Sequence, residues 1–390
     1  MKNNKKKIIF VSQALWIGGI ETALVNLINK LDYNKYEVIC LVTENYLDMA
    51  ERLTKNCRLI VADRHSLVTF TKPYKFKRLY DILEEPQGAT RFRRFLWYIL
   101  NILFKALENH LYSAYIKEQL NGESFDTAVI YSDRVAEITV KAINAKKFLM
   151  FYHHGAMRKE YHDRYGYKKS EKIIAVSDNI AEKLKAYRKK YAKKIVAVNN
   201  VIDIDSIAEK SKESIEEGLF SENKFNIVSC GRMAKEKGFD LAVEACKLLV
   251  ENNHKDINWI FVGDGPQKES IEKQIALYGL ENYIKLTGMK KNPYPYIARA
   301  DLFVQPSRVE AFGLTIAEAM VLGVPVLSTE TDGAKEIFAV TDNHLLCKIS
   351  GEDIFKGIQK LKKERQKYSD ASFVFYKKNM KVIELLEKMF

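Results

Sequence analysis

"DLFVQPSRVEAFGLTIAEAMVLGVPVLST", Asp301 to Thr329, contains in one stretch the unit from which the chain is built. Its ends, "DLFVQPS" and "VPVLST", are short apolar runs of strand character. Between them an apolar segment at helical spacing runs from about Gly313 to Leu322, and Gly323 suits the residue just past a helix C-terminus. Strand, helix and strand in that order describe a βαβ unit. The turn Arg308–Phe312 then lies at the carboxyl end of a strand, with Glu310 on it and Arg308 beside it. Glu318 follows eight residues later, inside the helix.

The same rhythm extends outward in both directions. Apolar runs separated by helical patterns recur as "KIIFVS", "YEVICLV", "RLIVA", "DTAVIYS", "KFLMFYH", "KIIAVS" and "KIVAVNN", then as "FNIVSCG", "NWIFVGDG", "YIKLTG", "DLFVQPS" and "VPVLST". Several are apolar on consecutive positions, the pattern of strands buried on both faces of a parallel sheet. The polar stretch "DIDSIAEKSKESIEEGLFSENK" (Asp203–Lys224) separates the two series and predicts a linker holding a short helix. The expected fold class is α/β, with two facing, doubly wound, Rossmann-like domains at 1–203 and 224–371, a linker at 204–223 and a last helix at 372–390. In such sheets ligands bind at the carboxyl ends of the strands, so the crevice between the domains is the expected site.

Composition narrows the field. The 390 residues are enough for two cores, and 47% of them are hydrophobic. The five cysteines, Cys40, Cys57, Cys230, Cys246 and Cys347, show no metal-ligand spacing and fit buried free thiols in a reducing compartment. No apolar run reaches 18 residues, the length needed to span a membrane. At the start, Ser12 and Gln13 interrupt the apolar run and no small-residue cleavage site follows, so a solvated tail entering a first strand is expected rather than a signal peptide. The net charge of +13 suits an anionic partner: nucleic acid, a phosphorylated small molecule or an anionic membrane. No zinc, helix-turn-helix or RNA-module pattern accompanies it, so nucleic acid is not expected.

The strand ends carry the chemistry. Gly313 and Leu314 offer backbone N–H groups at a helix start, a seat for phosphate. Glu318 can accept hydrogen bonds from the vicinal hydroxyls of a ribose. Together these pieces fit a nucleoside diphosphate carrying a sugar, whose hydroxyls would meet Glu310. "SCGRMAKEKGFD" (Ser229–Asp240) follows a strand; Gly231 allows its turn, and Arg232 and Lys237 project two cations that could neutralise a departing diphosphate. "FVGDGP" is a further strand-end glycine turn, at Gly263, and Gly288 follows "YIKLT". These three glycines, Gly231, Gly263 and Gly288, are expected near the nucleotide. In the first half, Gly18 and Gly19 precede a helix with apolar positions Ile20, Leu24, Leu27, Ile28 and Leu31, and let backbone approach a phosphate or sugar.

"GGIETALVNL", "GRMAKEKG", "VGDGP", "ADLFVQPSRVEAFGLTIAEAMVLGVPV" and "TDGAKEI" occur in the order found in retaining glycosyltransferases of family 4, and the chain resembles that family. The likeness runs through nearly all of the second half and is looser in the first. It implies the GT-B fold, with the final helix crossing back onto the N-terminal domain. It further implies a nucleotide-sugar donor, a UDP-sugar being the commonest, and transfer with retention of configuration and no required metal or other cofactor. The donor would be held mainly by the C-terminal domain and the acceptor by the N-terminal one. Residue by residue, it implies Glu310, with Ala311 and Phe312, on the donor sugar and Glu318 on the ribose. Arg232 and Lys237 would meet the diphosphate, as would Gly19, from across the cleft. It also implies a catalytic-site histidine after a first-domain strand, where "FLMFYHHGAM" offers both His153 and His154. The alternatives are a catalytically silent binding subunit of the same fold, in a glycosyltransferase complex, and a basic nucleic-acid-binding protein.

Three further stretches stand apart from this site. "FLWYILNILF" (Phe95–Phe104), flanked by Arg91, Arg93, Arg94 and Lys105, suggests a helix lying in a membrane interface. With the Lys-, Asn- and Ile-rich composition, it suggests a bacterial enzyme building surface polysaccharide, such as capsule, on a lipid carrier at the cytoplasmic face of the plasma membrane. "DID" (Asp203–Asp205) looks like a metal motif but sits where a helix cap explains it better. His162 and Asp163 are expected on the acceptor side or on a surface loop.

Overall fold

The computed structural model describes residues 5–64, 99, 107–157, 164–339, 344–363 and 372–390. The proposed membrane-facing segment 91–105 and the pair His162 and Asp163 lie outside them, Ile99 excepted.

Two wholly parallel sheets form the framework. The N-lobe sheet holds β1 (Lys6–Ser12), β2 (Tyr36–Val42), β3 (Arg58–Val61), β4 (Ser124–Ile130), β5 (Asn144–Tyr152), β6 (Lys172–Ala175) and β7 (Ile195–Ala197), in the order β3-β2-β1-β4-β5-β6-β7. The C-lobe sheet holds β8 (Phe225–Cys230), β9 (Ile257–Val262), β10 (Ile284–Leu286), β11 (Leu302–Gln305), β12 (Val326–Thr329) and β13 (His344–Cys347), in the order β10-β9-β8-β11-β12-β13. Every residue of β8 and β9 is buried, as consecutive apolar positions require when both faces are covered. Successive side chains serve different cores: Ile8 and Phe10 point to one side of the first sheet, Ile9 and Val11 to the other.

One of these cores is continuous between the lobes. It joins Ile8 and Phe10 of the N-lobe to Val228 and Ile260 of the C-lobe through Phe375, Val382, Leu386 and Phe390 of the last helix, Ser372–Met389, and the residue after it. Phe390 meets Phe10 and Tyr36 edge to face at 6.0 Å each, and its carbonyl accepts from Thr127 at 3.3 Å, so the chain ends docked on the N-lobe sheet. A second clasp joins the lobes. Glu336, on the helix Asp332–Phe338, accepts from the Asp178 backbone at 2.8 Å, at the N-terminus of the helix Asp178–Tyr187, and from Asn199 at 2.7 Å.

The structure differs from the sequence expectation at one edge strand of the C-lobe sheet. The edge strand β13 was not anticipated: it has four residues, opens on His344 and is half-exposed throughout, too short and too open for an apolar signal. The helix after β11 is Leu314–Val321, with Gly313 as its N-cap at φ +87°, a left-handed conformation that favours glycine. The short helix expected in the linker is Ile204–Lys210. Asp203 caps it by accepting from Ser206, and Asp203 and Asp205 both pair with Lys30 at 2.9 Å. The stretch 107–119 is helical and packs Tyr112, Ile116 and the following Leu120 on the first sheet. Four of the cysteines are buried and Cys347 is partly so; burial pushes all five thiols up.

Candidate functional site

The strand orders reverse direction between β1 and β4 in one sheet and between β8 and β11 in the other, and ligands bind beside such switch points. The loops after these strands come together from the two lobes. A Cβ on Gly19, beyond β1, would stand 3.8 Å from Leu314, beyond β11. A Cβ on Gly155, beyond β5, would stand 2.6 Å from Val309 and 3.2 Å from the Ala311 nitrogen.

In the C-lobe, parallel pairing of β8 with β11 sets the loops 231–238 and 306–313 side by side. Arg308 braces them: its backbone N–H donates to Glu236 at 2.7 Å and its guanidinium makes two 2.7 Å bonds to Asp240. Arg308 is thus a strut. Gly238 turns between the loops at φ +66°, so close to the Pro306 carbonyl that any Cβ would overlap it. Across this joint the Lys237 ammonium lies 2.7 Å from Glu310 Oε1, which also accepts from Ser307 at 2.8 Å and Gln305 at 3.1 Å. Gln305 is held in turn by Thr315 at 3.0 Å, on the helix Leu314–Val321. Glu310 is only 8% exposed, so three donors on one oxygen compensate its lost hydration. Arg232 stands outside this cluster, two-thirds exposed and paired with Glu236.

Glu318, also buried, accepts from Tyr294 at 3.1 Å, and Arg52 of the N-lobe donates to the same Tyr294 hydroxyl at 3.4 Å. Burial pushes the Glu318 carboxyl up to about 6, against the lowering effect of Tyr294 and Arg52. The three glycines expected near the nucleotide are neighbours: Gly231 donates to Val262 at 3.0 Å, Gly263 donates to Gly288 at 2.9 Å, and a Cβ on Gly263 would overlap the Gly231 carbonyl. The Phe312 ring is buried in the core, so its backbone is the part of this residue at the turn.

In the N-lobe, the two histidines diverge as alternation along a strand end requires. His154 Nε2 bonds Asp133 at 3.0 Å. Burial pushes the Asp133 carboxyl up, but the bond and charge of His154 outweigh it and hold it below the ordinary carboxylate range. The His153 ring stacks on Phe151 and leans on Tyr131; its Nε2 has no hydrogen-bond partner among the described residues. Burial and the neighbouring His154 push its pKa down to about 3, so its ring is neutral. Gly18 caps the helix Gly19–Asn29, and the Glu21 carboxylate fills the space beside it. Glu21 is 6% exposed and is pushed up to about 7, chiefly by burial, against the lowering effect of its own backbone and of the Trp16 side chain. The sequence reading passed over Glu21, Tyr294, Gln305 and Asp133. Glu21 had a signal: with Leu24, Val25 and Ile28 it occupies the buried helix face.

Residues 210–374 match the family model described as Glycosyl transferases group 1. The chain is 36% identical over 125 residues to 2-deoxystreptamine N-acetyl-D-glucosaminyltransferase of Niallia circulans, 32% of either chain. It is 29% identical over 195 residues to N-acetylgalactosamine-N,N'-diacetylbacillosaminyl-diphospho-undecaprenol 4-alpha-N-acetylgalactosaminyltransferase of Campylobacter jejuni, 50% of this chain and 51% of that one. The chain thus spans about a third to a half of the length of the curated relatives it matches. Anabaena HepE, solved in complex with UDP-glucose, superposes with a TM-score of 0.69 at 17% identity, over 98% of this chain and 99% of that one. The architecture is that of the GT-B glycosyltransferases, and the match to the Glycosyl transferases group 1 model falls on the C-lobe and the segment leading into it.

Proposed function

We propose that the protein is a glycosyltransferase that moves a sugar from a nucleoside-diphosphate sugar, a UDP-sugar, to a hydroxyl of a glycan or lipid-linked acceptor in bacterial polysaccharide synthesis. The observation that carries this reading is the pairing of the half-buried Lys237 with the buried Glu310 before the helix Leu314–Val321, whose first residue faces Gly19. The UDP-glucose complex of HepE supports a UDP-sugar donor, and the diphospho-undecaprenol in the Campylobacter relative's name supports a lipid-linked acceptor.

In this reading the diphosphate rests on the backbone N–H groups of Gly313 and Leu314, with Lys237 and Arg232 beside it. The bond from the anomeric carbon to the phosphate oxygen breaks early, and these groups stabilise the negative charge that develops. Glu310 Oε1 is committed to its three donors, so Oε2 is the oxygen for a donor-sugar hydroxyl; Glu318 receives the ribose hydroxyls. The acceptor oxygen bonds to the anomeric carbon on the face the phosphate leaves. Its proton passes to the departing phosphate oxygen, and configuration is retained. Fixed side-chain cations serve where a metal otherwise would, so the reaction is expected to persist in chelator. His153 and His154, at the opposite wall beside Gly155, hold the acceptor or the sugar. Closure of the lobes excludes water.

The same reading locates the protein at the cytoplasmic face of the plasma membrane. Among the described residues, an edge of the N-lobe with exposed Lys189, Lys190 and Lys193 supports contact with an anionic surface. Donor hydrolysis without acceptor, screened over nucleotide sugars with and without chelator, tests the proposal. Hydrolysis of one UDP-sugar, abolished in Glu310→Ala, is the expected result; no binding or turnover of any nucleotide sugar would leave a silent binding subunit instead.

A further inference from the structure

Beside the glycine loop the N-lobe carries a feature that donor chemistry does not use. Trp16, after β1, and Tyr46, after β2, bring their ring centroids to 5.8 Å with planes at 51°. Tyr46 is 55% exposed and Trp16 is partly so. The two loops are knitted together by backbone bonds, Leu15 to Tyr46 and Met49 to Leu15 at 2.8 Å each, so the rings are carried on fixed backbone. Buried Glu21 is a neighbour of Trp16: both side chains border the space where a Cβ on Gly18 would stand. The same two loops carry polar groups near their starts: Gln13, after β1, donates to Glu44, after β2, at 2.6 Å and accepts from Arg134 at 3.3 Å. Trp16 Cδ1 lies 3.5 Å from where a Cβ on Gly18 would stand, next to the glycine that meets Leu314.

Aromatic rings on loops that also carry a linked amide, carboxylate and guanidinium match the two-sided chemistry of a pyranose. Its C–H face covers an aromatic ring while its hydroxyls find donors and acceptors at the rim. An acyl chain would leave the polar trio without a role, and a bare phosphate would leave the rings without one.

Building on the transferase reading, we propose that Trp16 and Tyr46 form the acceptor subsite. The group that receives the transferred sugar is then itself a sugar, stacked on these rings and hydrogen-bonded by Gln13, Glu44 and Arg134. Glu21 acts as a positioning residue that fixes the Trp16 indole. The acceptor is glycan-terminated even where a lipid carries it.

The test titrates the intact protein with a panel of methyl glycosides, followed by saturation-transfer NMR, and separately with UDP. The wild type is expected to bind at least one methyl glycoside saturably. Trp16→Ala and Tyr46→Ala are expected to weaken that binding tenfold or more. Glu21→Gln, which keeps the side chain's shape beside Trp16, is expected to stay within threefold of wild type, whereas Glu21→Ala falls with Trp16→Ala. Because Tyr46 is exposed, its variant separates loss of the platform from loss of the fold. Binding of UDP without any methyl glycoside, or glycoside binding unchanged in both aromatic variants, overturns the subsite and leaves the donor reading standing. Glycoside binding without UDP binding supports the subsite and removes the donor reading. Saturation transfer from neutral lipid vesicles that is lost with Trp16, in place of glycoside binding, also overturns it.

Discussion

The two walls of the cleft are built on opposite plans. On the C-lobe wall nearly every polar group is already engaged: Glu310 holds three donors on one oxygen, Arg308 is locked to Asp240, and three glycines press their backbones together. On the N-lobe wall the prominent groups are rings, Trp16, Tyr46, His153 and His154, with buried acids behind them. A diphosphate and a ribose are invariant shapes, and a preorganised polar wall stabilises charge on them without rearranging. Acceptors differ in shape, and a wall of rings suits contact that tolerates variation.

That contrast can be broken at its strongest point first. Lys237→Ala removes the cation from the engaged wall and leaves the Glu310 carboxylate short of a donor. A fall of roughly 10²–10³ in kcat is expected, the usual size for one preorganised electrostatic group. Turnover within threefold of wild type, measured with any active nucleotide sugar, would mean that the engaged wall is a structural cluster. Next comes the element that holds the walls in register. Phe390→Ala deletes a ring fully buried against Phe10 and Tyr36, and should cost about 3 kcal/mol in chemical denaturation, with the two lobes losing their shared core. An unchanged midpoint would show that the final residue is dispensable to the interface. Gly155→Ala probes where the walls touch. Its new methyl would press on Val309 and the turn bearing Glu310, and roughly a tenfold loss of kcat with an unchanged melting temperature is expected from that small displacement.

The smallest effect is in pH. Ribose hydroxyls donate best to an ionised carboxylate, and Glu318 titrates at about 6 because it is buried. UDP affinity should therefore be full above neutrality and weaken as pH falls through 6, by about tenfold one unit below it. For folding the sign is reversed. The pKa is raised above its ordinary value of 4.5, so ionising Glu318 costs free energy, and this group's contribution to stability declines as pH rises through 6. Isothermal titration of wild type against Glu318→Gln subtracts the titration of UDP's own phosphate. Identical pH profiles in the two proteins would remove Glu318 from the ribose site.

How much of this was legible depended on distance along the chain. β1, β2, β8 and β9 announce themselves because a strand covered on both faces needs only a local run of apolar residues. β13 does not, being half-exposed and four residues long. Arg232, Lys237, Glu310 and Glu318 could be picked out because each follows a strand end, where such folds collect their ligands. Their partners could not. Lys237 and Glu310 are 73 residues apart, and Arg308 and Asp240 are 68; nothing local to either residue encodes the other.

By itself, then, the order of the residues determined a periodic alternation of strand and helix, and the glycine turns and charged groups at the strand ends. Only the tertiary structure decided that Lys237 neutralises Glu310, that Arg308 is a strut, that Glu21 lies buried beside Trp16, and that Gly155 of one lobe presses on the turn of the other. The physical reason is that periodicity records which side of an element is dry, a property of a few neighbouring residues. Pairing across a cleft is set by which strands lie side by side, and that choice belongs to the whole chain.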